Sequence, residues 1–179
     1  IHILDEAGDD QPAFVPGTIY FGDGPAYEYH NAPEKTESVR DPQGRGWTTL
    51  GDVGYVDDDG WLYLTDRQAF MIISGGVNIY PQEIEDCLVM HPKVADVAVF
   101  GVPDDEMGEA VHAAVQPAEG IDGDEALAGE LRSYVREHIA HFKCPQRFEF
   151  HDELPRLPTG KLYKNKLRSP HWDGREREI

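Results

Sequence analysis

Cysteine is nearly absent from this sequence: Cys87 and Cys144 are the only two in 179 residues. Two isolated cysteines build neither a disulfide framework nor a zinc-ligand spacing, and they point to a reducing, cytoplasmic setting. No apolar run is long enough to span a bilayer, and no signal-peptide pattern opens the chain. Basic side chains are also scarce, with 16 Lys and Arg against 34 Asp and Glu, a net charge of -18. A general nucleic-acid binder needs the opposite sign, and an anionic membrane surface would repel such a chain. No serine sits in a nucleophile-elbow pattern. His138 and His141 stand three apart near a predicted helix end, but no other ligand surrounds them in sequence. They read as ordinary surface or core histidines, and no metal site is expected. No internal repeat is evident.

What is present suits one domain or two small ones, with 40% hydrophobic residues to fill a core. The charge is uneven. Residues 1–66 carry 14 acids and 3 bases, residues 67–140 carry 14 and 4, and residues 141–179 carry 6 and 9. The only net-positive stretch is the tail, where Lys161, Lys164, Lys166 and Arg168 cluster. Such a cluster suits a phosphate ligand or is simply a solvated tail. The chain opens at Ile1 in mid-pattern, as expected of a fragment of a longer protein.

The apolar pattern predicts two regions. Residues 18–21 alternate, with Ile19 and Phe21 on one face. Residues 47–64 read as two strands joined at Asp57-Asp58-Asp59-Gly60, a strong turn signal, flanked by Trp47, Tyr55, Trp61 and Tyr63. The first 66 residues are thus mainly β. After Arg67 the pattern changes. Met71-Ile72-Ile73 is a short strand ending at Gly75-Gly76, read as a strand-to-helix turn with Asn78 near the cap. Pro81 suits the first turn of a helix whose buried face is Ile84, Cys87 and Leu88, and His91-Pro92 ends it. Val94 to Val102 is a nearly continuous apolar strand, expected to be central and covered on both faces. Val111, Ala113 and Val115 alternate in another. Asp124 can cap a helix with the stripe Leu127, Leu131, Tyr134 and Val135. Phe148 and Phe150 belong to a last strand. The expected fold class is α+β: a small sheet flanked by helices over 67–179, preceded by a β-rich segment over 1–66.

Three short segments carry the chemistry. Asp52, beside Gly51, is a carboxylate able to accept from two neighbouring hydroxyls, or a plain turn aspartate. Arg67, at the join, offers a planar fork to a ribose oxygen, phosphate or carboxylate, or pairs with a nearby acid for little gain. Ser74-Gly75-Gly76-Val77-Asn78 lets a ligand approach the backbone closely. Lys161, between Gly160 and Leu162, sits on a loop. It is not a Walker lysine, because the upstream glycine is missing and Leu162 stands where a hydroxyl is needed.

In this order and spacing, Leu50-Gly51-Asp52, Asp66-Arg67 with Met71 to Pro81, and Leu157-Pro158-Thr159-Gly160-Lys161 resemble the C-terminal third of the adenylate-forming (AMP-binding) enzymes, from about Gly17 to Arg168. Acyl-CoA synthetases are members of that family. The resemblance implies an acid–CoA ligase acting on fatty or related acids, with ATP, Mg2+ and CoA as cofactors and the Mg2+ ligands outside this chain. It implies that Lys161 is catalytic, reaching the substrate carboxylate and the ATP phosphates. Asp52 and Arg67 would bind nucleotide, and Ser74, Gly75 and Gly76 would line the channel for CoA, with Lys143 near its phosphates. Arg67, Gln68 and Ala69 would form the hinge of a mobile C-terminal domain. Glu83, Gly101 to Asp104 and Gly108-Glu109 match the family as structural positions. The match departs at Ala69, where the family has a polar hinge residue, and at Leu50, which replaces its Thr. The family's phosphate loop and acid pocket belong to a missing N-terminal domain, so the segment alone is expected to be inactive. Transfer to a carrier-protein thiol or to oxygen, and a stand-alone interaction domain, are the rival readings.

Overall fold

A computed structural model describes residues 1–24 and 27–174. The last five residues of the net-positive tail therefore lie outside the described residues. The chain divides into two compact units, Ile1–Ala69 and Phe70–Ile179.

The first unit is an antiparallel meander in the order β1 (His2–Leu4), β2 (Gly17–Phe21), β3 (Thr48–Val56) and β4 (Leu62–Arg67), with a short helix α1 (Pro33–Ser38) between β2 and β3. The turn between β3 and β4 is held by Asp57, whose carboxylate accepts from the amides of Asp59 and Trp61. Tyr55 and Tyr63 stack across it at 5.0 Å. The expected pairing of Ile19 with Phe21 does not hold. A register shift in β2 buries Ile19 and Tyr20 together and leaves Phe21 41% exposed, because a bulge resets the two-residue period. Between α1 and β3, the buried Asp41 carboxylate is fully engaged. It accepts from the amides of Gln43 and Arg45 and from the Arg45 guanidinium. That guanidinium holds the Asp41 carboxyl well below the usual carboxylate range.

The second unit is an α+β sandwich. Its strands are β5 (Ile72–Ser74), β6 (Val77–Ile79), β7 (Val94–Asp104), β8 (Gly108–Pro117) and β9 (Arg147–Phe150). They run in the order β6-β5-β8-β7, with β9 parallel to β8. Its helices are α2 (Pro81–Val89), α3 (Glu125–His138) and α4 (Lys164–Arg168), followed by a 3-10 turn, Ser169–Trp172. Asp124 caps α3, its carboxylate accepting from the Leu127 amide at 2.9 Å.

Two cores lie on the two faces of this sheet. One gathers Ile72, Ile79, Val97, Val99, Val111, Ala113 and Val115 beneath α2 (Ile84, Leu88) and α3 (Leu127, Leu131, Val135). The other gathers Ala98, Phe100, Val102, Ala110, Ala114 and Leu154, with Leu162 and Leu167 packed against it. The apolar run of β7 is thus covered on both faces, but among the described residues β7 pairs only with β8. The central strand is β8, bonded to β5, β7 and β9. An unbroken apolar run reports two covered faces, not two hydrogen-bonded neighbours. Gly101 admits the buried Glu109, since a Cβ there would lie 2.1 Å from Glu109 Oε2.

Candidate functional site

The expected site residues fall into separate groups, each set by its own local structure. In the first unit, Asp52 and Arg67 are cross-strand partners on β3 and β4, and Arg67 Nε donates to Asp52 Oδ1 at 3.0 Å. Gly51, at φ +79°, has open space where a side chain would stand. The Asp52 side chain is 29% exposed and that of Arg67 54%. The Asp52 carboxylate, still partly exposed, can accept from two hydroxyls, while the Arg67 guanidinium beside it offers N–H donors.

In the second unit, Gly75 and Gly76 do not lead into a helix. They form the two-residue turn of the β5–β6 hairpin, with φ of +56° and +77°. Both central residues of such a turn need the left-handed region, which glycine enters without steric cost. A Cβ on Gly75 would also come within 2.9 Å of Met107 Cε, and the Gly75 amide donates to the Met107 carbonyl at 2.8 Å. The hairpin borders a cleft of about 460 Å³ that includes Ser74, Gly75, Met107, Arg132, Arg136 and Phe142. Arg132 and Arg136 stand four apart on α3 and so share a face. They give the cleft a cationic wall suited to an anion. The sequence reading passed over this pair, because its partner wall, Phe142 to Gln146, comes close only in the fold. Cys144 also borders the cleft, but burial pushes its thiol up, away from a nucleophilic thiolate. Lys143 lies beside these residues with its ammonium on Glu83, 2.5 Å away.

Lys161 stands on a third element, outside the residues bordering that cleft. The Leu157 amide donates to the Lys161 carbonyl and the Gly160 amide to the Leu157 carbonyl, both at 2.8 Å. Gly160, at φ +84°, closes the turn. Arg156 braces it from below, donating to the Gly160 carbonyl at 2.7 Å and pairing with Asp96. The backbone is therefore fixed while the Lys161 side chain is exposed and, among the described residues, makes no ion pair. The tail cations do not form one free patch. Lys164 turns inward to Glu85, with Nζ–Oε1 of 2.7 Å and both side chains about nine-tenths buried. Glu85 Oε1 also accepts from the Val99 amide at 2.6 Å.

The AMP-binding enzyme C-terminal domain matches residues 83–161, ending on Lys161. A fatty acid--[acyl-carrier-protein] ligase, ScoC of Streptomyces coeruleorubidus, is 38% identical over 99% of this chain and 33% of its own length. A long-chain-fatty-acid--CoA ligase, FadD13 of Mycobacterium tuberculosis, is 42% identical over 80% of this chain and 27% of its own. Among solved structures, ATP-bound MatB from Rhodopseudomonas palustris superposes with a TM-score of 0.79 at 34% identity, over 94% of this chain and 33% of that one. The chain thus spans about a third of the length of the relatives it matches. With a matched C-terminal domain, a shared fold and identity running nearly end to end, the chain belongs to the adenylate-forming, AMP-binding enzyme family.

Proposed function

We propose that this chain acts as the C-terminal part of an ATP-dependent acid–thiol ligase. The parent enzyme joins a carboxylic acid to AMP with release of pyrophosphate, then passes the acyl group to CoA and releases AMP. Residues 1–66 are the β-rich end of the large domain, and 67–179 are its mobile C-terminal domain. The observation that carries this reading is Lys161, an exposed cation without an ion pair among the described residues, on a hydrogen-bonded turn that ends the family match.

Adenylation brings two anions together, the acid's carboxylate and the α-phosphate. A point charge on a flexible stem, held by a rigid turn, offsets their repulsion and stabilises the charge that develops in the transition state. Asp52 accepts the ribose hydroxyls, and Arg67 orients the nucleotide from the facing strand. Mg2+, which residues outside this chain would hold, would neutralise phosphate charge when bound. For the thioester step, the Gly75–Gly76 turn and Ser74 let the thin thiol arm of CoA pass close to the backbone. Lys143 and the Arg132–Arg136 wall attract its phosphates. Presenting Lys161 and the hairpin in turn requires the small domain to rotate, and Arg67-Gln68-Ala69 is the pivot; the backbone torsions absorb the motion, so Ala69 needs no polar side chain. Fatty and related acids are the substrates suggested by the names of the two ligases above.

In the full-length enzyme, Lys161→Ala is expected to lower acid-dependent pyrophosphate release by about 10²–10³-fold. Thioester formation from supplied acyl adenylate should survive. Equal loss in both half-reactions, or in neither, would sink the assignment. A carrier-protein thiol is the second acceptor to test, because the relative aligned over nearly all of this chain is named for one. Side-by-side rates with CoA and with a carrier protein decide between them.

A further inference from the structure

Away from the cleft and the Lys161 turn, three histidines surround one carboxylate. His112 comes from β8 and Glu149 from the adjacent β9. His151 follows β9, and His171 lies in the terminal 3-10 turn. Glu149 Oε2 is 3.3 Å from His112 Nε2 and 3.6 Å from His171 Nε2. One donor atom from each of His112, Glu149 and His171 lies within 4.8 Å of the others. On the far side, His151 Nε2 is 3.1 Å from Glu149 Oε1, without hydrogen-bonding geometry.

We propose that His112, Glu149 and His171 form a binding site for a divalent transition metal of the zinc class, which fastens the terminal turn to the sheet. The donor set is two imidazoles and one carboxylate, a combination zinc accepts with a fourth position left for water. Metal–ligand bonds of 2.0–2.2 Å in tetrahedral geometry put neighbouring donor atoms roughly 3.3–3.5 Å apart, and both separations from Glu149 Oε2 fall close to that. The ring orientations are set by packing. His112 is buried and stacks on Phe100 at 5.2 Å, and its ring lies 4.8 Å from that of His171. Trp172 Nε1 donates to the Gly101 carbonyl at 3.0 Å and so holds the turn that carries His171. Access is from the rim, where the side chains of Glu149 and His171 are 45% and 32% exposed. Arg147, paired in register with His112, is the nearby charge that works against a cation.

The test is Co2+ titration of the chelator-stripped 179-residue chain, followed by Zn2+ competition. The expected result is one equivalent of Co2+ with the visible absorption of a four-coordinate site, displaced by one equivalent of Zn2+. His171→Ala, at a half-buried position near the end of the fold, should weaken binding by roughly 10–100-fold or more, whereas His138→Ala and His141→Ala should not. Zn2+ should also slow proteolysis of the terminal turn in the wild type and not in His171→Ala. No stoichiometric metal in the wild type, or unchanged affinity in His171→Ala, overturns the proposal.

Discussion

The two units put similar strands to different use. In the second unit the β7–β8 pair has a core on each face, one beneath α2 and α3 and the other packed by Leu167 of the short helix α4. In the first unit the buried apolar side chains among the described residues are Ile3, Leu4, Ile19, Tyr20 and Val53. There β4 presents Leu62, Tyr63 and Leu64 at 37%, 44% and 70% exposure, with Trp61 beside them at 70%. Three successive exposed residues leave this part of β4 with little cover on either face. The difference teaches that the second unit supplies its own hydrophobic stabilisation. The first holds its strands by pairing, by stacked rings and by a buried Asp41–Arg45 network. On the proposed reading, the larger part of the ligase covers what β4 leaves open.

The sharpest way to break this contrast is to empty the second unit's core. Leu131, fully buried under the sheet, should cost about 2–5 kcal/mol as Leu131→Ala, because the packed surroundings only partly collapse. Denaturant unfolding followed by amide exchange should place the loss in β7 and β8 and spare β2 and β3. An equal loss in both units would show that they unfold as one.

Acid should strike the other way. The Asp41 carboxyl is depressed below its ordinary 3.8 by the Arg45 hydrogen bonds first. The unfolded chain therefore binds more protons there, and the stabilisation is fully present above about pH 3.8. It is lost as pH falls from there toward the folded value. Exchange in β2 and β3 should rise below that pH, and Asp41→Asn should abolish this acid dependence. If the variant keeps the same acid profile, another carboxylate controls it.

The smallest effect should come from β4. Leu64→Ala removes a side chain that is already in water, so the isolated chain should change by less than about 0.5 kcal/mol. In the full-length ligase the same change should cost more, if the surface is buried there. Equal, small effects in both would leave β4 a solvent-facing edge.

Much of this was legible in the residues. The turn at Asp57 to Gly60, the Asp124 cap and the stripe of α3 depend on neighbours within a few positions. So does the family resemblance, which rests on short segments in fixed order. Where long-range contacts decide, local pattern had no purchase. The order of the sheet put β8 at the centre because strand pairing joins residues far apart in the chain. Gly75-Gly76 became a hairpin turn because Val77–Ile79 found Ile72–Ser74 as a partner. Lys164 reads like its neighbours Lys161 and Lys166, yet Glu85, on a helix some eighty positions earlier, draws it inward.

The same holds for the sites. Sequence alone determined which residue types stand at the motif positions, and hence the family and the chemistry open to Lys161, Asp52 and Gly75. Only the tertiary structure set Asp52 against Arg67, placed Arg132 and Arg136 on the cleft, and gathered His112, Glu149 and His171. Each of these juxtapositions depends on hydrogen-bond registers and packing between distant segments, and those are properties of the assembled sheet, absent from any local stretch of chain.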